Sequence, residues 1–193
     1  MIPRLVVASK NQDKVEEMED VLARTGLAAE IVHGLDWPDI EERGQTLEEN
    51  ALLKARAVAE TVGLPAVADD TGLEVEALGG APGVRTSRYA GEHATYADNV
   101  VRLLREMEGV EDRRARFRTT AALVMPDGSE VVAEGSLDGL ITTSPRGNAG
   151  FGYDPVFEVE GRTLAEMGRG EKGTMSHRAR ALLALAEALG LGR

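Results

Sequence analysis

Pro65-Ala66-Val67-Ala68-Asp69-Asp70-Thr71-Gly72 decides how this chain is read. A short apolar run, with the length and composition of a buried β-strand, ends in two adjacent carboxylates, a hydroxyl and a glycine. Successive strand side chains point to opposite faces, so Asp69 and Asp70 are expected to do different work. One locks the loop, while the other faces a cleft at the strand's carboxyl end, where open α/β sheets bind ligands. A carboxylate there suits a hard divalent cation or a water that needs a base. The same residues also suit a solvated Asp-Thr-Gly turn. The segment alone supports both readings.

Upstream, Leu5 to Ala8 reads as a first strand, followed by the polar loop Ser9-Lys10-Asn11-Gln12-Asp13. A helix carrying Val15, Met18, Val21 and Leu22 ends near Gly26, and a strand forms around Ile31. Thr46 caps a second helix, with Glu49 three residues on completing a capping box and Gly63 stopping it. Downstream, Gly79 to Gly83 is too rich in Gly and Pro to be regular, and Asn99 to Met107 is an amphipathic helix. Arg116 to Met125 and Glu130 to Leu137 flank Pro126-Asp127-Gly128 as a β-hairpin. A short strand passes through Phe157, and a last helix starts near Ser176 and runs through Leu189. The order β-α-β-α-β, helix, hairpin, helix implies an α/β protein with a mixed sheet. With no internal repeat and no flexible linker, residues 1–193 are expected to form a single domain of two merged lobes.

The bulk composition excludes several classes. A formal charge of −11 argues against a nucleic-acid partner, which needs a basic surface. The apolar runs are far too short to span a bilayer, and none precedes the first strand as a signal-peptide core. Absence of cysteine removes disulfides and thiol catalysis. Together these features predict a cytoplasmic protein without a membrane partner.

Five constellations carry chemistry. Ser9 to Lys14 places helix-start amides beside lysines, the makings of a phosphate site, although it lacks the glycines of a Walker A loop. Glu41-Glu42 and Asp69-Asp70 offer carboxylates from a loop and a strand, enough for magnesium when phosphate and water complete the octahedron. Asn50, Lys54 and Ala57 share one helical side, and Lys54 is one of only four lysines. Phe151-Gly152-Tyr153-Asp154-Pro155 puts two of the chain's seven aromatics beside a glycine and a carboxylate, which suits a planar ligand. Glu171-Lys172 and Ser176-His177-Arg178 place donors at a helix start. Each also has a plain structural reading: a capped helix, a solvated acidic loop, an exposed lysine, a turn packed into the core, a structural histidine. His33, His93 and His177 are too far apart in sequence to suggest zinc.

In order and spacing, these runs closely resemble the inosine triphosphate pyrophosphatase family. The matching segments are Ala8 to Lys14, Thr46 to Ala55, Ala68 to Leu73, Leu78 to Gly83, Gly150 to Pro155, and Ala165 through Lys172 to Arg178. The resemblance implies a long central mixed sheet with two α/β lobes flanking a nucleotide-binding cleft, usually in a homodimer. It also implies magnesium-dependent hydrolysis of ITP, dITP and XTP to the monophosphate and pyrophosphate. By position, Ser9, Lys10, Asn11, Gln12, Asp13 and Lys14 would hold the triphosphate, and Asp70 would be general base and metal ligand. Thr71 would contact substrate, while Lys54 and Lys172 would neutralise phosphate. Phe151, Gly152, Tyr153 and Asp154, with His177 and Arg178, would hold the base. The family's metal glutamate falls at Glu41 or Glu42, with Glu41 preferred. Lys10 and Gly173 depart from a glycine and an asparagine common at those places, which bears on affinity and loop rigidity rather than on the reaction. Alternative readings are a pyrophosphatase for another nucleotide, such as dUTP or a modified pyrimidine, and a non-catalytic nucleotide sensor.

Overall fold

The computed structural model describes residues 1–191; the last two residues of the expected 1–193 span lie outside the described residues. Its regular elements are β1 (Ile2–Val7), α1 (Gln12–Thr25), β2 (Ala28–Ile31), α2 (Leu47–Val62), β3 (Ala66–Val75), β4 (Pro82–Gly83), α3 (Tyr96–Glu106), β5 (Arg114–Val124), β6 (Glu130–Ile141), β7 (Phe157–Val159), β8 (Arg162–Thr163), α4 (Arg169–Met175) and α5 (His177–Ala188). The strand order is β2-β1-β3-β5-β6-β7-β8, with β4 beside β3. β1 runs parallel to β2 and β3, while β4 on β3, β7 on β6 and β8 on β7 are antiparallel. The mixed α/β sheet expected from the element order is therefore present.

The chain divides into two compact units. One comprises residues 1–70, 119–135 and the described part of the stretch from Ser176; the other comprises 71–118 and 136–175. The second unit packs α3 and its strands around Leu73, Leu103, Met107, Phe117, Tyr153 and Phe157.

In the first unit the parity of the strands sorts the core into two layers. Leu5 and Val7 of β1, Val67 of β3, and Ala121 and Leu123 of β5 pack with α1 and α5 residues such as Met18, Leu22 and Leu182. Val6 of β1, Ala66 and Ala68 of β3, and Ala122 and Val124 of β5 pack with Ala51, Ala55 and Val58 of α2. This is the alternation of a sheet covered on both faces. α2 starts where the sequence says, while α3 starts at Tyr96, three residues before the expected Asn99. Thr46 accepts the Glu49 amide at 3.1 Å, while the Glu49 carboxylate accepts from Gln45 and Thr46.

Three expectations need correction. β3 does not end at the carboxylates but continues to Val75, so Asp69 and Asp70 lie inside a strand rather than at its carboxyl end or in a turn. Leu73 and Glu74 register against Gly83 and Pro82 of β4, which extends the ladder past the Asp-Thr-Gly composition that suggests a turn. Pro82–Gly83 is accordingly regular. The short helix α4 has no counterpart in the sequence pattern, because Gly170 and Gly173 obscure it.

α5 lies directly on the backbone of β6. A Cβ at Gly135 would fall within 2.8 Å of the Arg180 carbonyl carbon and closer still to the backbone of His177 and Ala181. Gly135→Ala should therefore destabilise by about 1–3 kcal/mol in chemical denaturation. Gly168→Ala, where a Cβ meets nothing within 4 Å, should change stability by less than about 0.5 kcal/mol.

Candidate active site

Asp69 and Asp70 are 2% and 5% exposed, so both carboxylates need partners. Strand parity gives them different ones. Asp69 shares the parity of Val67 and meets the α1 and α5 side. Its Oδ2 accepts from Nε and Nη2 of Arg178, each at 3.1 Å, and lies 3.4 Å from Lys14 Nζ. Nη1 of Arg178 donates to Glu17. Burial works against the Arg178 charge, but Asp69 and Glu17 outweigh it and raise its pKa. At Lys14 burial prevails and lowers the pKa, although Asp69 favours the charged form.

Asp70 shares the parity of Ala66 and Ala68 and meets α2. Its Oδ2 accepts from Asn50 Nδ2 at 3.1 Å, and its Oδ1 lies 3.5 Å from Lys54 Nζ. Lys54 also donates to Glu42 at 2.8 Å. One ammonium is thus shared by two carboxylates, one from the strand and one from the loop before α2. Burial opposes the Lys54 charge, yet Asp70 and Glu42 together raise its pKa. Burial pushes Asp70 above the usual carboxylate range, with Lys54 and Lys14 pulling the other way. A carboxyl so shifted is a better proton acceptor than an ordinary aspartate.

Glu41, the glutamate preferred from sequence, is exposed and pairs with Arg43; Glu42 is the neighbour that reaches Lys54. In the first loop, Ser9 Oγ accepts from the Asn11 amide at 3.2 Å, and Asn11 Oδ1 caps α1 through the Lys14 amide at 3.3 Å. Lys10 bonds Asp39 on the surface, Gln12 bonds Glu16, and Asp13 sits in the first turn of α1. Lys14, in the first turn of α1, is this segment's contribution beside the aspartates.

The second unit gathers its own group. Asp154 Oδ2 accepts from the Phe151 amide at 2.9 Å and from Lys172 Nζ at 2.5 Å. Lys172 Nζ also stands 4.8 Å from the centre of the Phe151 ring, within cation–π range. Gly150 makes room for this, since a Cβ there would collide with the Asp154 carboxylate. Gly152 takes the left-handed conformation at φ 65° that the turn requires. Tyr153 turns inward and donates its hydroxyl to Thr86 O at 3.0 Å. Thr71, next along β3, is half-buried.

Ser176 caps α5, accepting the Ala179 amide at 3.2 Å. His177 is buried, with Nδ1 2.6 Å from Thr119 Oγ1. Arg178, expected from sequence to read a base, commits three nitrogens to Asp69 and Glu17. Sequence motifs do not single out Glu17, whose signal is its place one turn after Lys14 on α1. Helical spacing picks out Asn50 without assigning it a role.

Among the described residues, no three His, Cys, Asp or Glu side chains cluster as a metal centre. Glu42 and Asp70 form an oxygen-only pair already sharing a cation. That donor set fits magnesium, which needs one or two protein carboxylates with phosphate and water, and does not fit zinc.

Fold and site together define an α/β protein with a buried carboxylate–lysine centre on its sheet. The Ham1 family model matches residues 5–188. A dITP/XTP pyrophosphatase of Bacillus licheniformis is 46% identical, covering 96% of this chain and 97% of that protein. One from Chlorobaculum tepidum is 50% identical, covering 96% and 92%. The structure of a HAM1 protein from Coxiella burnetii superimposes with a TM-score of 0.84 at 41% identity, covering 98% of this chain and 99% of that one. The Staphylococcus aureus Ham1 protein gives 0.83 at 37% identity, covering 97% and 98%. These matches run over nearly the whole of each protein, and the chain belongs to the Ham1 family.

Asp69→Asn should cost about 3–5 kcal/mol of unfolding free energy, because it leaves Arg178 buried without its main counter-charge. Asp70→Asn should cost much less: Lys54 keeps Glu42, and a neutral side chain relieves the desolvation at that position. Thermal and denaturant unfolding of the two variants side by side measures the difference.

Proposed function

We propose that this chain hydrolyses non-canonical purine nucleoside triphosphates, ITP, dITP and XTP, to the monophosphate and pyrophosphate. The observation that carries the reading is the shared contact of Lys54 with the buried Asp70 and the half-buried Glu42, two oxygen ligands fit for a hard cation, with Lys14 close to the aspartates. The names of the curated relatives supply the substrate class.

Water attacks the α-phosphorus, the bond from that phosphorus to the bridging oxygen breaks, and pyrophosphate leaves. Asp70 orients the water and accepts its proton. Lys14 and Lys54 bind the anionic chain and offset charge that grows on the phosphate oxygens. Glu42, rather than Glu41, is the second carboxylate positioned with Asp70 to hold Mg2+. When bound, the ion supplies charge neutralisation and lowers the pKa of water in its shell.

In the second unit, Phe151 offers a ring for a base, with Asp154 and Lys172 fixing the loop that carries it. Lys172 also contributes positive charge toward phosphate. His177 and Arg178 set the start of α5, and Arg178 acts chiefly by holding Asp69. An acceptor oxygen at C6 distinguishes hypoxanthine and xanthine from adenine; a donor facing it would be left mismatched by adenine at a cost of about 1–3 kcal/mol. A homodimer belongs to the same reading, supported by the family resemblance, and a cytoplasmic location is supported by the short apolar runs and the absence of cysteine. No helix among the described residues is long and apolar enough to cross a membrane.

Pyrophosphate release across ITP, XTP, dUTP, GTP and ATP, with and without magnesium, tests the assignment. ITP and XTP should exceed the others by at least about tenfold, only with the metal; a dUTP preference would support the alternative nucleotide, and binding without turnover a sensor. In 18O-water the label should enter the monophosphate, and label in pyrophosphate would place the attack at another phosphorus. Asp70→Asn should reduce turnover by about 10²–10⁴-fold while retaining the native fold.

A further inference from the structure

We infer that Asn50 is a positioning residue that sets the spacing of the two carboxylates, Asp70 and Glu42. The inference rests on the reading of that pair as the magnesium-binding carboxylates. Asn50 lies on the inner side of α2, 1% exposed, four residues before Lys54. Its amide is used at both ends. Nδ2 donates to Asp70 Oδ2 at 3.1 Å, and Oδ1 accepts from the Gly44 backbone N–H at 2.8 Å.

The orientation of the amide follows from its partners. A backbone N–H can only donate and a carboxylate can only accept, so a flipped amide would present like to like at both contacts. Gly44 is two residues beyond Glu42 in the loop that leads into α2. A Cβ at Gly44 would stand 2.6 Å from Asn50 Oδ1 and 2.8 Å from Glu49 Cβ, so glycine is what lets the loop close on the amide. One side chain, rigidly mounted on a helix with a capping box at its start, thereby ties the strand carboxylate to the loop that carries its counterpart. Lys54 contributes charge to the same pair but through a flexible stem; Asn50 supplies direction. Asparagine is also neutral, so it orients Asp70 without adding a counter-charge that would compete with a bound cation. Partners of this kind typically change metal affinity by about 10–100-fold when removed.

The test is Mn2+ binding followed by the electron paramagnetic resonance of the free ion, in the presence of a non-hydrolysable α,β-imido analogue of ITP. Turnover of ITP as a function of magnesium is measured alongside. Asn50→Ala should raise the half-saturating Mn2+ concentration about tenfold and raise the magnesium requirement of turnover in parallel. The KM for ITP at saturating magnesium should stay within about twofold of wild type. Gly44→Ala disturbs the same contact from the loop side, and a similar weakening is expected; it becomes the deciding variant if Asn50→Ala does not fold. Unchanged Mn2+ affinity in a folded variant of either kind, while Asp70→Asn weakens binding, overturns the role of Asn50 and leaves the metal reading standing. Unchanged affinity in Asp70→Asn as well overturns both.

Discussion

The structure depends on the alternation of side chains along β3. Val67 and Asp69 point toward the layer built by α1 and α5; Ala66, Ala68 and Asp70 point toward α2. Two adjacent carboxylates are thereby sent to opposite faces of one sheet, and each face answers with its own cations. Arg178 and Lys14 answer Asp69; Lys54, with the amide of Asn50, answers Asp70. Without those partners two neighbouring charges inside a strand would be prohibitively costly.

The two pairings differ in kind. Arg178 grips Asp69 through two nitrogens and is itself braced by Glu17, a closed arrangement whose loss is felt as stability. Asp70 is held at one oxygen by a neutral amide and approached more distantly at the other by a lysine shared with Glu42. Its pKa is raised by burial, whereas a carboxylate wholly satisfied by charge would be lowered. The open arrangement is the one the proposed mechanism uses. Two different sets of partners thus come from a single-residue step along a strand.

Much of this is legible in the sequence because it rests on local rules. The capping box at Thr46 and Glu49, the hairpin at Pro126 to Gly128 and the apolar period of α1 can be read from short windows, and the structure agrees. That Asp69 and Asp70 face different partners also follows from parity alone. What is not legible depends on distant partners. The Asp-Thr-Gly composition suggests a turn, and only the lysines and arginine brought in by α1, α2 and α5, with the pairing of β4, make a continuous strand possible there. The choice between Glu41 and Glu42 turns on loop geometry that no local pattern encodes, and Arg178 meets Asp69 across 109 residues of sequence.

The central claim is that Asp70 alone of the pair is reserved for a metal and a water. Carboxyl 13C resonances of the two aspartates, assigned by substitution, would test it during a magnesium titration with the α,β-imido analogue of ITP present. The Asp70 resonance should move with magnesium, while that of Asp69, held by Arg178, should stay within its metal-free range. Movement of Asp69 with Asp70 unchanged would contradict the claim.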